Sequence, residues 1–343
     1  MVEALSRLEP DQVHANPKLK EALLKVLEAT RGTPRFVELV RKFQIKDQNA
    51  ALLEVVVKNP GETTAADALR LILENKDVGL LRNSLAGTNA LTAVKITEAL
   101  GNVGGSQILP LLEPLVGDPK LDASLRKQAV RALARNHEGA SFLIKLAKDD
   151  TLGADIRLVA STELNQAQWP DIRAEAAQVL PRPQSRNAAP LPPIPDLVKM
   201  KGDAGRGAEI FGRPDVACIN CHQVNGKGIE FGPKLSEIGT KLAKEALYET
   251  ILDPSAGISF GYEGWQIQLK NGDEALGLIV SETNDDLALK TQNGIVTRYQ
   301  KNEIDKRTKS NTSIMPAGLQ QSMSVQDLVD LVEYLTSLKK ASD

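Results

Sequence analysis

A repeat sets the first limit on what this chain can fold into. Short amphipathic segments at 65–71, 96–102, 129–135 and 160–165 each carry a leucine in an equivalent place. These are Leu69, Leu100, Leu133 and Leu164, at steps of 31, 33 and 31 residues. A fixed period of that size leaves room for two helices per unit. One such unit cannot bury its apolar face alone, but stacked neighbours bury it jointly, which is the signature of an α-solenoid. An irregular helical bundle is the plainer reading of the same segments. Turns at Gly104-Gly105 and Asp118-Pro119 punctuate the helices. An aromatic content of only 3% also favours helical packing.

The length of 343 residues is enough for two or three domains of ~100–200 residues, and the pattern changes accordingly. Helical repeats occupy 1–180. A linker at 181–196 follows, with Pro181, Pro183, Pro190, Pro192, Pro193 and Pro195. Its polyproline II character lets it span ~46 Å at ~3.1 Å per residue. The remaining domain covers 197–343. In it, Asp203 is placed to cap a short helix, a second helix runs from Lys244 to Leu252, and Ser324-Val325-Gln326-Asp327 opens the last one as a capping box.

Between about 262 and 308 the period changes to two. Trp265, Ile267 and Leu269 alternate with polar residues, Asn271-Gly272 is a hairpin turn, and Leu276, Leu278 and Val280 alternate again. Turns at Thr283 to Asp286 and at Gln292-Asn293-Gly294 set off two further runs. The expectation is a β-meander of about four strands, able to curl into a small barrel. The fold class is therefore mainly α, with a β-rich insertion.

The chemistry lies in Cys218-Ile219-Asn220-Cys221-His222. This is C-x-x-C-H, the attachment sequence of a c-type haem. The two thiols bond to the haem vinyl groups, and the adjacent imidazole ligates the iron. Both cysteines of the chain lie here. A zinc site wants four ligands, yet the other histidines, His14 and His137, are far upstream. A dithiol redox pair belongs near a βαβ pattern, which the preceding sequence lacks. Zinc and dithiol chemistry remain the competing readings of these residues.

With those pieces in view, residues from about 197 to 340 resemble the cytochrome c-like haem-binding domain of large multidomain proteins from planctomycetes and verrucomicrobia. Four segments carry the resemblance: 218–222, Gly232-Pro233-Lys234-Leu235, Ile251-Leu252-Asp253-Pro254-Ser255 with Gly261-Tyr262-Glu263, and Met315-Pro316-Ala317-Gly318-Leu319. The resemblance implies a class I cytochrome c fold with a β-rich insertion and one covalent haem c. It implies that the Pro233 carbonyl accepts a hydrogen bond from His222, as in the Gly-Pro-x-Leu loop of class I cytochromes c. Met315 falls where those proteins place the axial thioether, with Met323 as the alternative and a packing methionine as the bland reading. Leu235 is expected at the haem, with Ile210, Phe211, Ile238, Leu247 and Ile251 as further wall, although any of the six could instead be plain core. Tyr262 and Trp265 contact a haem edge or, more simply, pack in the hairpin. The upstream helices resemble HEAT repeats, although their period is short for that family.

Several functions are excluded. A net charge of −2 gives no argument for nucleic acid or acidic membrane surfaces. No run of 18 apolar residues marks a transmembrane helix. No nucleophilic triad pattern is visible, and 202–207 reads as a helix start, not a phosphate loop. The expected role is electron transfer and not catalysis. The expected partners are a dehydrogenase donor and a periplasmic acceptor. A five-coordinate haem sensor or peroxidase-like enzyme and a repeat-based docking scaffold are the alternatives. Haem attachment implies an extracytoplasmic site. The start at 1–7 has no apolar leader core, so the sequence reads as a mature chain or an excised piece.

Overall fold

The computed structural model describes residues 8–87, 89–181 and 190–340. The chain divides into two compact units, Met1–Arg135 and Asn136–Asp343.

In the first unit the helices are α1 (Pro10–Ala15), α2 (Pro17–Thr30), α3 (Pro34–Lys42), α4 (Asn49–Lys58), α5 (Thr63–Glu74), α6 (Val78–Leu85), α7 (Ala90–Val103), α8 (Leu109–Gly117) and α9 (Ala123–Leu133). Their starts are local chemistry. Asn16 and Thr33 accept backbone N–H groups ahead of prolines at the first helical positions, and Asp122 does the same for α9. Leu69, Leu100 and Leu133 lie on α5, α7 and α9 and are fully buried at 0% exposure. Burying such a side chain is worth about 1.5–3 kcal/mol relative to exposure. Successive repeats approach closely: a Cβ on Gly101 would sit 2.7 Å from Cα of Ala132. The Arg135 guanidinium also donates to Asn102 Oδ1 at 2.7 Å.

The second unit begins with α10 (His137–Lys148), α11 (Ala154–Asn165) and α12 (Pro170–Val179), and Leu164 of α11 is again fully buried. The four leucines of the repeat thus share one environment. Half of the expected linker, 182–189, lies outside the described residues. Then come α13 (Ile194–Lys199), α14 (Ala204–Gly212), α15 (Ile238–Lys241), α16 (Lys244–Leu252), five strands and α17 (Val325–Ser337). Asp203 accepts from the Arg206 N–H to cap α14, and Ser324 with Asp327 forms a capping box on α17.

Helices α14 and α17 make the centre of this unit. Gly207 lets them touch, since a Cβ there would overlap the Asp330 carbonyl oxygen. The Asp330 side chain is 2% exposed. It accepts from Arg206 Nε at 2.7 Å, from Gln326 Nε2 at 2.9 Å and from the Asp203 N–H at 2.8 Å. Burial works to raise this carboxyl, and those three donors outweigh it and hold it below the usual carboxylate range. Around the crossing pack Leu197, Phe211, Tyr248, Leu328, Val332 and Leu335.

The strands are β1 (Gly264–Leu269), β2 (Glu274–Glu282), β3 (Asp286–Lys290), β4 (Val296–Gln300) and β5 (Ile304–Lys309). They form one antiparallel sheet in the order β4-β3-β2-β1-β5. This corrects two expectations. The described residues form five strands and not about four, the extra one being β5, a charged run with no alternating apolar face for sequence reading to find. The sheet also does not close into a barrel: β4 and β5, though consecutive, lie at opposite edges. Lysines along β5 suit an unpaired edge.

Replacing Gly207 with Ala is expected to destabilise the protein by about 1–3 kcal/mol through overpacking. Gly212→Ala, where an added Cβ meets nothing within 4 Å, should be neutral or slightly stabilising. Urea unfolding of both variants checks this, and equal midpoints would remove the α14–α17 contact as a determinant of stability.

Candidate functional site

The residues of the C-x-x-C-H run wind into a short turn. Residues Cys218–Asn220 form one 3-10 turn, entered through Ala217 in the left-handed region at φ 58°. The N–H groups of Cys221 and His222 donate to the Cys218 carbonyl at 3.1 and 2.9 Å. The following loop folds back over the turn. Ile229 N–H donates to the Ile219 carbonyl, and both Phe231 and Gly232 N–H donate to the Cys221 carbonyl. Both thiols and the imidazole therefore open onto the same cavity.

His222 is held by two features. Its Nδ1 bonds to the Pro233 carbonyl at 2.8 Å, which makes Nδ1–H the donor and leaves Nε2 as the nitrogen free of a protein partner. The ring also lies flat against Gly232, where a Cβ would come 2.6 Å from Cε1. Burial pushes the His222 pKa down, and the Pro233 carbonyl partly offsets this. The imidazole is thus kept neutral, as a metal ligand must be.

Burial pushes the Cys218 thiol up to about 12, with the neighbouring Cys221 adding to it. Burial likewise pushes Cys221 up to about 11, opposed by a contact from Gln292. A redox-active C-x-x-C pair has its pKa lowered, so this environment is the opposite of a dithiol centre. Both cysteines are free of a disulfide. Among the described residues no group of three or more His, Cys, Asp or Glu is arranged to hold a metal ion, which weighs against zinc.

The cavity has about 1370 Å³ of empty space counted to its open mouth. Leu235, Ile238, Leu247 and Ile251 give it an apolar lining, together with Met315, Pro316 and Leu319. Met315 is tied in place: its N–H donates to Ser313 Oγ at 3.2 Å, and the Ser313 N–H donates to Ser255 Oγ at 3.1 Å. Met323 is 4% exposed within the core. Of the described methionines, Met315 alone lines the cavity. The residues fit a large, flat, apolar group: two thiols for covalent attachment, a neutral imidazole, a thioether, and no charged side chain on the wall.

Two candidate wall residues are plain core, and Trp265 packs in the sheet as its simpler reading had it. Ile210 and Phe211 turn into the core, where Phe211 meets Tyr334 edge-on at 5.9 Å. Trp265 stays on the sheet beneath the Arg307 guanidinium, 4.7 Å away. Tyr262 does line the cavity. Sequence reading missed Gln292 and Gln166, both on the wall. Neither sits in a motif, and a glutamine in a turn carries no signal of its own.

In the unattached protein both thiols have a higher pKa in the folded than in the unfolded state, so the protonated form favours folding. Their contribution is fully present below about pH 9 and is lost as pH rises through about 11 and about 12. Protein made without haem attachment should therefore lose up to about 1.4 kcal/mol per thiol per pH unit above pH 9. A Cys218→Ala/Cys221→Ala variant should lose less. Urea unfolding at pH 8 to 10.5 reads the difference, and parallel slopes would refute the assignment.

Residues 17–180 match the family model of the vitellogenin TPR domain, so the helices expected to be HEAT-like fall under that model. A comparison with curated proteins gives no match. Residues 204–272, which include the cysteine turn, His222 and Pro233, match the family model of cytochrome c.

Proposed function

We propose that this protein carries single electrons on one haem c, bonded through Cys218 and Cys221 and ligated by His222 and Met315. The observation that supports the reading is that His222, Met315 and both cysteines line one largely apolar cavity. Such a haem supplies a one-electron couple, with no proton moved and no bond to a substrate formed. The chain does the rest. The Pro233 carbonyl, accepting from Nδ1–H, fixes the ring so that Nε2 is the ligand atom, and makes it more basic. Methionine ligation favours the reduced state, and the Ser313–Ser255 tie holds Met315 for that role. If His222 and Met315 both held the iron, no position would be left for substrate, which favours electron carriage over sensing or peroxidase chemistry.

In this reading the haem domain is 197–343, the helical repeats are 1–180, and Pro233 and Leu235 complete the haem environment. The donor is a dehydrogenase, as a separate partner or in the same polypeptide, and the acceptor is a periplasmic redox protein. That setting is extracytoplasmic, as covalent haem attachment requires. It matches the planctomycete and verrucomicrobial architecture that the sequence resembles. No helix among the described residues is long and apolar enough to cross a membrane.

Protein produced with c-type maturation machinery should retain its haem through acid-acetone extraction. Its oxidised form should show the weak red sulfur-to-iron band. Met315→Ala should keep the haem, lose that band and bind carbon monoxide stoichiometrically where the wild type binds none. An unchanged spectrum and unchanged carbon monoxide binding would eliminate Met315 as a ligand. Loss of haem from the wild type on extraction would eliminate covalent attachment.

A further inference from the structure

The β-sheet reaches the cavity through Gln292, in the turn between β3 and β4. The turn is closed by Gly294 N–H donating to the Thr291 carbonyl and by Thr291 N–H donating to the Ile295 carbonyl, both at 2.8 Å. It is seated on the loop after His222. Lys290 Nζ lies 4.0 Å from Glu230 Oε1. A Cβ on Gly294 would come 3.4 Å from Cγ2 of Ile229. So placed, the Gln292 carboxamide lines the cavity and points Nε2 at Cys221 Sγ, 3.9 Å away. It is uncharged and half-buried.

Two effects of this placement act in the same direction. A donor N–H directed at the sulfur that joins the haem favours the more electron-rich ferrous state. The half-buried turn behind it also covers part of that edge with uncharged groups, and lower polarity disfavours the extra positive charge of the ferric state. We propose that Gln292 is a potential-setting residue, whose carboxamide raises the reduction potential of the haem attached at Cys221. The proposal rests on the covalent-haem reading above. The couple is one electron added to ferric iron to give ferrous iron, with no bond made or broken.

The test is potentiometric titration of matured wild-type, Gln292→Leu and Gln292→Glu proteins, with covalent haem quantified in each by its alkaline pyridine spectrum. Gln292→Leu, which removes the donor and keeps the bulk, should shift the ferric-to-ferrous ratio about threefold toward ferric. Gln292→Glu, which adds a negative charge, should shift it about tenfold, or about 59 mV lower for a one-electron couple. Full haem content with both variants within twofold of wild type overturns the proposal and leaves the haem reading standing. Equal shifts from both variants would mean that the turn only packs there, which also overturns it. If the Glu variant does not fold, the threefold shift of the Leu variant decides alone. Absence of covalent haem in the wild type would defeat the haem reading and the proposal together.

Discussion

The unit that holds the cavity depends on one hydrogen bond, from His222 Nδ1 to the Pro233 carbonyl. A buried neutral imidazole has one donor and one acceptor to satisfy. Committing the donor to a backbone carbonyl decides which nitrogen is left for the cavity. The commitment needs the 228–235 loop to lie flat on the ring. That explains Gly232, where any side chain would meet the imidazole, and Gly228, where a Cβ would overlap the His222 carbonyl oxygen and the backbone takes φ 100°. The proline that fixes the loop also supplies the acceptor. A turn proline by itself would be unremarkable, and its function comes from the ring it faces.

The segment that brings Met315 to the cavity is organised independently. His222 and Met315 are 93 residues apart in the chain, and the intervening sheet has its own small core of Ile267, Leu287 and Leu289. Both flanks of that sheet are fixed to the helical part. A Cβ on Gly264 would sit 2.8 Å from Ile314 Cγ1, next to Met315, and the β3–β4 turn rests on Ile229 and Glu230. The insertion therefore does more than interrupt a helical domain, because Leu278 and Gln292 of it line the cavity.

Much of this was legible in the sequence, for physical reasons that differ from place to place. The leucine period, the capping residues Asp203 and Ser324, and the hairpin turn Asn271-Gly272 are local signals, and they appear where expected. The cysteine turn was legible because covalent chemistry fixes its spacing. The fifth strand was not, since an exposed edge strand of Asp, Lys, Arg and Thr has no apolar alternation. Nor was closure of the sheet decidable, because alternation fixes which face is buried and does not fix which strand pairs with which. Ile210 and Phe211 could be read from the sequence as cavity wall or as plain core. On a helix, however, the core-facing stripe is chosen by its partner, here α17.

Gln166 shows where periodicity and packing diverge. The repeat match runs through residue 180, whereas the compact units divide at 135 and 136. The helices α10 to α12 thus repeat like those before them but pack in the unit that holds the cavity. Gln166 follows α11, lines the cavity and donates to the Asp215 carbonyl at 3.4 Å, three residues before Cys218. The end of a repeat array has an apolar face with no following repeat to cover it. In this chain the region leading to the cysteines stands beside that end. A cut after residue 180 would therefore take Gln166 from the cavity wall, although the sequence pattern alone makes that the natural place to divide the chain.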